Sequence, residues 1–345
     1  MRGKRGGLLL FACILPIWLF GLSVQVQDWE QFRCVLVQAA VDYQQQLQVD
    51  LSAYRGDFSA DLQAGFSSAA REVELALGLP YPLLGYEVRV GSSSASLHLN
   101  FAYAKESFEE LVEKTQQASQ VATSWVKAAQ AVSRDPFEVL LRLHDRLVQH
   151  AHYLSLGQTS AYIAYGPLLL GKGVCEGYAR AFQLLCQQAN IPCWLVYGEA
   201  REETSWIGHM WNVVQLDGAY YHVDVTWDDP TSGPSLSVPR HDYFLLDDTE
   251  IGKNHRWDRA SVPACNATKW NYYRVMGLEV QQYPELVALM QRKIEQKAQV
   301  IEVKFPGIDQ KVYDPWISSA CMELNLGFVR WRENPTLSLV TFYRW

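Results

Sequence analysis

The chain has 345 residues, of which 49% are hydrophobic and 19% are charged, a composition typical of a globular protein with substantial cores. Its formal net charge is −7. Lysine and arginine form no dense run beyond the first few residues, so the sequence does not favour a nucleic-acid partner. The length exceeds that of a typical domain and predicts two domains, or one domain with large extensions.

The N-terminal segment joins basic residues to an apolar run, as secretory signals and signal anchors do. The basic residues lie in MRGKRGG, and the apolar run extends from Leu8 to Val24. This run is at the short end of the ~20 residues that span a bilayer. We therefore expect residues 1–26 to be a signal peptide or an uncleaved membrane anchor, with the rest of the chain outside the cytoplasm, secreted or anchored.

Residues 27–132 are predicted to form an N-terminal α+β region without clustered chemistry. Helical spacing predicts one helix from Asp28 to about Tyr54 and another through SSAAREVELALGL. GYEVRV and ASLHLNFAYA alternate apolar and polar residues as strands do, around the turn signal GSSS. A long helix is predicted from about Glu106 to Val132.

Residues 133–260 are predicted to be the catalytic core, followed by a helix-and-strand extension over 261–345. Asp135 and Pro136 have the N-cap and first-turn positions of a helix that runs to Tyr153. The helix YARAFQLLCQQAN precedes three strands, CWLVYGEA, HMWNVVQLDG and AYYHVDVTW. Asp217-Gly218 joins the last two strands as a hairpin. A turn-rich loop is predicted at 228–240. The extension begins with the helix PELVALMQRKIEQKA, continues with the strand VIEVKF and ends with the strand TLSLVTFYRW.

The cysteines and histidines give no metal or disulfide pattern. Cys186 and Cys193 are typical of buried free thiols. The neighbouring residues His144, His150 and His152 do not have the i, i+4 spacing of a helical metal site. We therefore expect no metal and no cofactor. A metal-binding protein would need these histidines, or His222, to converge.

Cys175 has the setting of a nucleophile. It lies in GKGVCEGYARAF, between glycines and the predicted first turn of a helix. A helix N-terminus stabilises a thiolate, and an N–H group that opens a helix can bind an oxyanion. Gly171, Gly173 and Gly177 allow a sharp turn and the close approach of a substrate.

A general base and its orienting acid follow on two adjacent predicted strands. GHMWN carries His209 and YHVDVTW carries Asp224. Pairing of these strands around the Asp-Gly turn places the two residues nearly opposite each other, within side-chain reach. His222 is an alternative base, and Asp228 and Asp229 are alternative acids.

In combination, GKGVCEGYARAF, GHMWNVV and LDGAYYHVDVTWDDP resemble the transglutaminase-like core of the papain-like superfamily, especially its bacterial secreted members. The resemblance covers about residues 136–257 and includes YFLLDD and HRW downstream. It implies an α+β fold in which a helix bearing the cysteine packs against an antiparallel sheet. By this resemblance Cys175 is the nucleophile, His209 the general base and Asp224 its orienting partner.

The resemblance implies an extracytoplasmic, thiol-dependent acyl-transfer enzyme acting on peptide or side-chain amide bonds. Its partner is then a peptide or protein substrate, cell-wall peptides included. Capture of the acyl group by water would make a peptidase or amidase, which we favour, and capture by an amine would make a cross-linking transglutaminase. CEGYA departs from the tryptophan-containing segment of the animal cross-linking enzymes. A non-catalytic surface or assembly module that retains the core is the other alternative.

The remaining candidates lie around this predicted triad. A second oxyanion donor is usual in the superfamily, and Tyr162 and Tyr165 are candidates, although both also suit core aromatics. The candidates for lining a substrate cleft are Gly173, Glu176, Trp211 and Trp227, of which the two tryptophans are better suited to shielding the triad from water. His255, in NHRW, has no role that can be deduced.

Overall fold

The computed structural model describes residues 23–41, 44, 46–77, 83–90, 96–103, 108–154, 159–202, 204–229, 238–326 and 330–343. Three sequence predictions lie wholly or largely outside these ranges: the apolar run up to residue 22, the GSSS turn, and residues 230–237 of the turn-rich loop. The chain divides into two compact units, with the boundary between Val112 and Glu113. The described helices include none that is both long and apolar enough to cross a membrane.

The first unit packs helices against a sheet. Its elements are β1 (Val24–Gln25), α1 (Trp29–Val41), β2 (Gln46–Asp50), α2 (Phe58–Leu77), β3 (Leu83–Val90) and β4 (Ser96–Tyr103). The described strands form a four-stranded sheet in the order β1-β2-β4-β3, with β1 parallel to β2 and the other pairs antiparallel. Val24 and Gln25, expected in the N-terminal segment, are therefore part of this sheet.

The predicted helix from Asp28 to about Tyr54 is wrong in its second half. The helix ends at Val41, and Gln46–Asp50 forms β2. Leu47 and Val49 are buried while their neighbours are more exposed, which is the two-residue period of a strand. Five residues are too few to distinguish this period from helical spacing, and pairing with β4 decides the structure.

The second unit begins within a helix and contains the predicted core and extension. Its elements are α3 (Phe108–Val132), α4 (Pro136–His150), β5 (His152–Tyr153), β6 (Lys172–Gly173), α5 (Cys175–Gln188), β7 (Cys193–Glu202), β8 (Ser205–Leu216), β9 (Ala219–Val223), α6 (Val225–Asp228), β10 (Phe244–Leu246), α7 (Asp248–Ile251), β11 (His255–Trp257), α8 (Tyr272–Val275), α9 (Tyr283–Glu295), β12 (Val300–Lys304), α10 (Gln310–Glu323), β13 (Arg330–Asn334) and β14 (Leu339–Tyr343). A 3-10 turn (Thr159–Ala161) and a π-helical turn (Gly166–Leu170) precede β6.

An antiparallel sheet in the order β10-β9-β8-β7-β11 forms the centre of the second unit, and α5 packs against β7 and β8. Asp135 caps α4 as predicted, because its side chain accepts a hydrogen bond from the N–H of Glu138 at 3.1 Å. This arrangement of a helix on an antiparallel sheet confirms the α+β class.

The C-terminal elements share the core of the second unit. β12, β14 and β13 form an antiparallel sheet, and buried residues such as Leu286 and Phe342 belong to the same hydrophobic cluster as Phe182 on α5. A partly buried ion pair adds to this contact, because Arg332 on β13 donates to both oxygens of Asp242 at 2.7 and 2.8 Å. Residues 261–345 therefore continue the core of residues 133–260.

Candidate active site

The segment before Cys175 forms a series of tight turns that ends at the first residue of α5. Gly171 ends the π-helical turn with a φ of 63°, in the left-handed region that favours glycine. Val174 is extended and is the N-cap residue of α5. Cys175 is therefore in the first helical turn, where backbone N–H groups have no partner within the helix.

Gly177 allows α5 to approach the preceding 3-10 turn closely. A Cβ atom at this position would lie 2.2 Å from the carbonyl oxygen of Ala161. The same carbonyl accepts a hydrogen bond from the N–H of Val174 at 3.0 Å. These two contacts fix the first turn of α5 and hence the backbone of Cys175.

The hairpin of β8 and β9 has one of the two registers expected from the Asp217-Gly218 turn, but it does not place His209 and Asp224 directly opposite each other. Asn212 pairs with Val223 and Leu216 with Ala219, so Asp224 lies beyond the end of β9 and diagonal to His209 rather than opposite it. The predicted strand through Trp227 is therefore wrong over its last residues, because α6 begins at Val225.

Asp224 ends the strand by capping α6. Its Oδ1 accepts hydrogen bonds from the N–H groups of Thr226 and Trp227, at 3.0 and 3.2 Å. Aspartate is a preferred residue at this position because its side chain satisfies free backbone donors. Its second oxygen, Oδ2, is left for the histidine.

The structure brings Cys175, His209 and Asp224 together. His209 Nε2 lies 2.6 Å from Asp224 Oδ2, and the Cys175 thiol is close enough to the same imidazole to help raise its pKa. Because Nε2 faces the carboxylate, Nδ1 is the ring nitrogen available to the thiol. Asp224 is fully buried and His209 almost so, whereas Cys175 is partly exposed.

The charges of this site favour a protonated imidazole. Burial by itself would lower the pKa of His209, but the charge and hydrogen bond of Asp224 outweigh it and raise this pKa to about 10. Burial would likewise raise the pKa of Asp224, but His209 and His255 hold it well below its usual range. The carboxylate therefore stabilises the imidazolium form that a thiolate needs as its partner.

His255 is a second histidine on the same carboxylate oxygen. Its Nε2 lies 3.0 Å from Asp224 Oδ2, and its Nδ1 lies 2.8 Å from the side-chain amide of Asn254. The amide of Asn254 in turn contacts the hydroxyl of Tyr243 at 2.7 Å. Burial lowers the pKa of His255, which favours its neutral form beside the charged His209.

Two tryptophans enclose the imidazole of His209. Trp211 is buried, its ring centroid is 6.0 Å from that of His209, and its indole N–H donates to His222 Nδ1 at 3.0 Å. It therefore lies behind the histidine rather than in an open cleft. Trp227 is partly buried, with its ring centroid 5.7 Å from His209 and 4.6 Å from His255.

The other two cleft candidates are also buried. Glu176 forms a salt bridge with Arg180 at 2.9 Å, one turn further along α5. Gly173 lies against the ring of Pro167. Of the four candidates, Trp227 is thus the one with a partly exposed side chain.

The two tyrosines expected near the thiol have different surroundings. Tyr165 packs against the hydrophobic core, with the ammonium group of Lys114 5.6 Å from its ring centroid. Tyr153, for which the sequence predicts no role, is half-exposed, and its pKa is raised by burial and by the charges of Cys175 and Glu202. The charge of Tyr162 raises the pKa of Tyr153 in the same way, so this oxyanion candidate lies near Tyr153.

The alternative acids have other partners. Asp228 Oδ2 lies 3.1 Å from His144 Nε2, and Asp229 accepts hydrogen bonds from the hydroxyl of Tyr178 and the N–H of Tyr153. The alternative base, His222, contacts Asp248 Oδ1 at 2.8 Å through its Nε2.

Comparisons with known proteins find a family match for one segment of this chain. The core domain of the transglutaminase-like superfamily matches residues 123–225. The kyphoscoliosis peptidase of Mus musculus is 30% identical over 83 residues, which is 21% of this chain and 13% of that protein. This chain therefore spans only a small part of the length of that relative.

Three solved structures have a similar arrangement over part of their length. A protein described as a TGase is 11% identical with a TM-score of 0.28, covering 55% of this chain and 53% of that one. A candidate cysteine protease from Cytophaga hutchinsonii is 14% identical with a TM-score of 0.29, covering 47% and 66%. A candidate protease from Parabacteroides distasonis is 11% identical with a TM-score of 0.26, covering 56% and 44%. Residues 123–225, which include Cys175, His209 and Asp224, thus match the core domain of the transglutaminase-like superfamily.

Proposed function

We propose that the protein is a thiol-dependent enzyme that hydrolyses amide bonds in peptides or protein side chains. The observation that carries this proposal is that one imidazole, His209, lies 2.6 Å from the Asp224 carboxylate and also interacts electrostatically with the Cys175 thiol. A structural cysteine requires neither the helix N-terminus nor the paired imidazole. Together they provide a nucleophile, a proton acceptor and a group that orients the acceptor.

In the proposed reaction the Cys175 thiolate attacks the carbonyl carbon of the amide. The backbone N–H groups of the first turn of α5 bind the oxyanion that forms. The protonated His209 then gives its proton to the leaving amine, which leaves an acyl group on Cys175 as a thioester. His209 then takes a proton from a water molecule whose oxygen attacks the thioester carbon. The C–S bond breaks, which releases the carboxylic acid and restores the Cys175 thiolate, while Asp224 stabilises the imidazolium in each step.

Hydrolysis and cross-linking differ only in whether water or an amine takes the acyl group. The name of the murine relative, a peptidase, favours water. We further propose that the reaction takes place outside the cytoplasm, on peptides or proteins that include cell-wall peptides. The basic residues and the apolar run at the N-terminus support this location. Cell fractionation with antibody detection would test it, and recovery only with cytoplasmic proteins would contradict it.

The test of the activity is a mass-spectrometric comparison of the wild type and Cys175→Ala. Both proteins are incubated with peptides and cell-wall fragments, with and without an added primary amine. Hydrolysis adds the mass of water to the sum of two products, whereas amine capture adds the mass of the amine. We expect water addition with the wild type and none with Cys175→Ala.

Cys321→Ala is the matched control, because Cys321 is a partly exposed thiol on α10. It should retain both activity and the labelling of Cys175 by an amide-mimicking electrophile. Activity that persists in Cys175→Ala would contradict the proposed mechanism. Amine capture without hydrolysis would support the cross-linking alternative instead.

A further inference from the structure

A second cluster of histidines and acids lies in the same unit, apart from the triad. α4 carries His144 and Asp145, and His241 lies just before β10. Asp145 Oδ1 is 3.0 Å from both His144 Nδ1 and His241 Nε2. These three atoms lie within 4.8 Å of one another, so two imidazole nitrogens and one carboxylate oxygen converge on one point.

The outward-facing nitrogen of each imidazole contacts another carboxylate. His144 Nε2 lies 3.1 Å from Asp228 Oδ2, and His241 Nδ1 lies 3.2 Å from both oxygens of Glu302. The hydroxyl of Tyr272 donates to Glu302 at 2.9 Å and its ring stacks on His241 at 3.9 Å, which fixes both groups. Histidines that bind metals are usually held in this way, because the carboxylate sets the tautomer and the direction of the free nitrogen.

We propose that His144 Nδ1, His241 Nε2 and Asp145 Oδ1 bind one divalent transition-metal ion, with Zn²⁺ as the best-fitting ion. Asp228 and Glu302 hold the two imidazoles in place. Tetrahedral Zn²⁺ with bonds of ~2.0–2.1 Å separates its ligand atoms by about 3.3 Å. The 3.0 Å separations therefore need to open by only a few tenths of an ångström.

Charge and access both suit a cation. In the part of the chain that the structure describes, the ion-pair partners of Asp145, Asp228 and Glu302 are the two histidines. Three carboxylates thus surround two imidazoles that are neutral when they bind a metal. The Asp145 side chain is 32% exposed, which gives an ion a path from solvent and leaves room for water as a fourth ligand.

The other two His-containing clusters lack these properties. In the cluster with Asp224, His209 already contacts the Cys175 thiol. The cluster of His222, Asp248 and Cys265 contains one imidazole, and Arg259 already pairs with Asp248 at 3.1 Å. The His144 cluster is therefore the one that offers two oriented imidazoles and a carboxylate without a competing cation.

The position of the site predicts a structural effect. A bound ion would link α4 to His241. Through Asp228 and Glu302, which hold the two imidazoles, it would also be connected to the end of α6 and to strand β12. These elements are far apart in the sequence, since Asp145 and His241 are separated by 96 residues. Zn²⁺ at about 100 times its Kd should therefore raise the Tm of the metal-free protein by about 5–10 °C.

The experiment measures Zn²⁺ binding to the full chain carrying Cys175→Ala, which removes the catalytic thiol as a ligand. The protein is freed of metal with EDTA, and Zn²⁺ is then titrated in competition with a fluorescent chelator. We expect one tightly bound ion per chain. Co²⁺ in the same site should show d–d absorption without thiolate charge transfer, because the proposed ligands are nitrogen and oxygen.

Three further variants assign the site. Asp145→Asn should weaken Zn²⁺ binding by at least 100-fold, and Glu302→Gln, which changes only the support of His241, by about 10–100-fold. His152→Gln is the matched control, because it removes an exposed histidine near the end of the same helix, and it should bind as the parent does.

Two results would overturn the proposal. The first is a Kd for Zn²⁺ weaker than about 10 μM, in which case the cluster is a proton-bridged network without a metal. The second is tight binding that Asp145→Asn and Glu302→Gln leave unchanged. If Asp145→Asn does not fold, as judged by circular dichroism, the stoichiometry, the Co²⁺ spectrum and Glu302→Gln decide the question.

Discussion

Replacement of Asp224 by asparagine tests the electrostatic basis of the site. The change removes one negative charge but retains a side-chain oxygen that can cap α6, because asparagine is also a preferred N-cap residue. The rise of the His209 pKa from 6.5 to about 10 corresponds to ~5 kcal/mol in favour of the imidazolium, at 1.36 kcal/mol per pKa unit. Without the carboxylate, burial favours the neutral imidazole instead.

We therefore expect Asp224→Asn to slow the alkylation of Cys175 by iodoacetamide by about 10²–10³-fold at pH 7. Loss of the full ~5 kcal/mol would slow the reaction more than this, but the interaction of the imidazole with Cys175 remains in the variant. The assay is the pseudo-first-order rate of carbamidomethylation, followed by peptide mass spectrometry from pH 5 to 10. The rate of the variant should recover towards high pH, where a thiolate forms without help from the imidazolium.

Asp247→Asn provides the control. Asp247 caps α7 with two backbone hydrogen bonds of 2.8 Å, as Asp224 caps α6, and α7 also has four residues. Asp247→Asn should leave the alkylation rate of Cys175 within about twofold of the wild-type rate. A rate for Asp224→Asn within threefold of the wild type at pH 7, with an unchanged pH profile, would refute the electrostatic role of Asp224.

Three other predictions concern the surroundings of the triad. His255→Phe removes a hydrogen bond to Asp224, so it should lower kcat/KM by about 10-fold or more and change the pH profile of kcat/KM. His255→Gln keeps a hydrogen-bond donor at this position and should therefore retain most of the activity. Gly177→Ala should lower the free energy of unfolding, measured by urea denaturation, by about 1–3 kcal/mol, because the new methyl group would clash with the carbonyl oxygen of Ala161. Gly208→Ala is the control: a Cβ atom there has no neighbour within 4 Å, so the free energy of unfolding should not change. The protonated His209 stabilises the folded state, and this contribution to the free energy of unfolding should be complete below pH 6.5 and lost as the pH rises to about 10. In this range His209 keeps its proton in the folded protein and releases it in the unfolded chain. The stability difference between wild type and Asp224→Asn should therefore fall by up to ~1.4 kcal/mol per pH unit across this range, and a constant difference would contradict it.

Local signals in the sequence were sufficient for the main parts of the site. The glycines around Cys175 predict the entry into α5, and the Asp217-Gly218 dipeptide predicts the hairpin, in which both residues have positive φ. The exact pairing could not be predicted, because Asp224 leaves the strand to cap α6. A capping residue and a strand residue have the same local pattern until the following helix is known.

The parts that the sequence did not reveal depend on distant pairings. His255 reaches Asp224 because β11 pairs with β7, where it lies opposite Ala200. Tyr153 lies near the start of α5 because β5 pairs in parallel with β6, where it lies opposite Gly173. No local periodicity reports such contacts, and the sequence predicts Tyr153 as the end of a helix and no role for His255.

The double role of Asp224 has a consequence for how the site can be observed. The amides of Thr226 and Trp227 donate to one oxygen of the carboxylate that holds His209 with the other. Opening of this short helix and disassembly of the triad are therefore coupled events. The rate at which these two amides exchange with deuterium should measure the fraction of molecules with an assembled site, without a substrate and without a label.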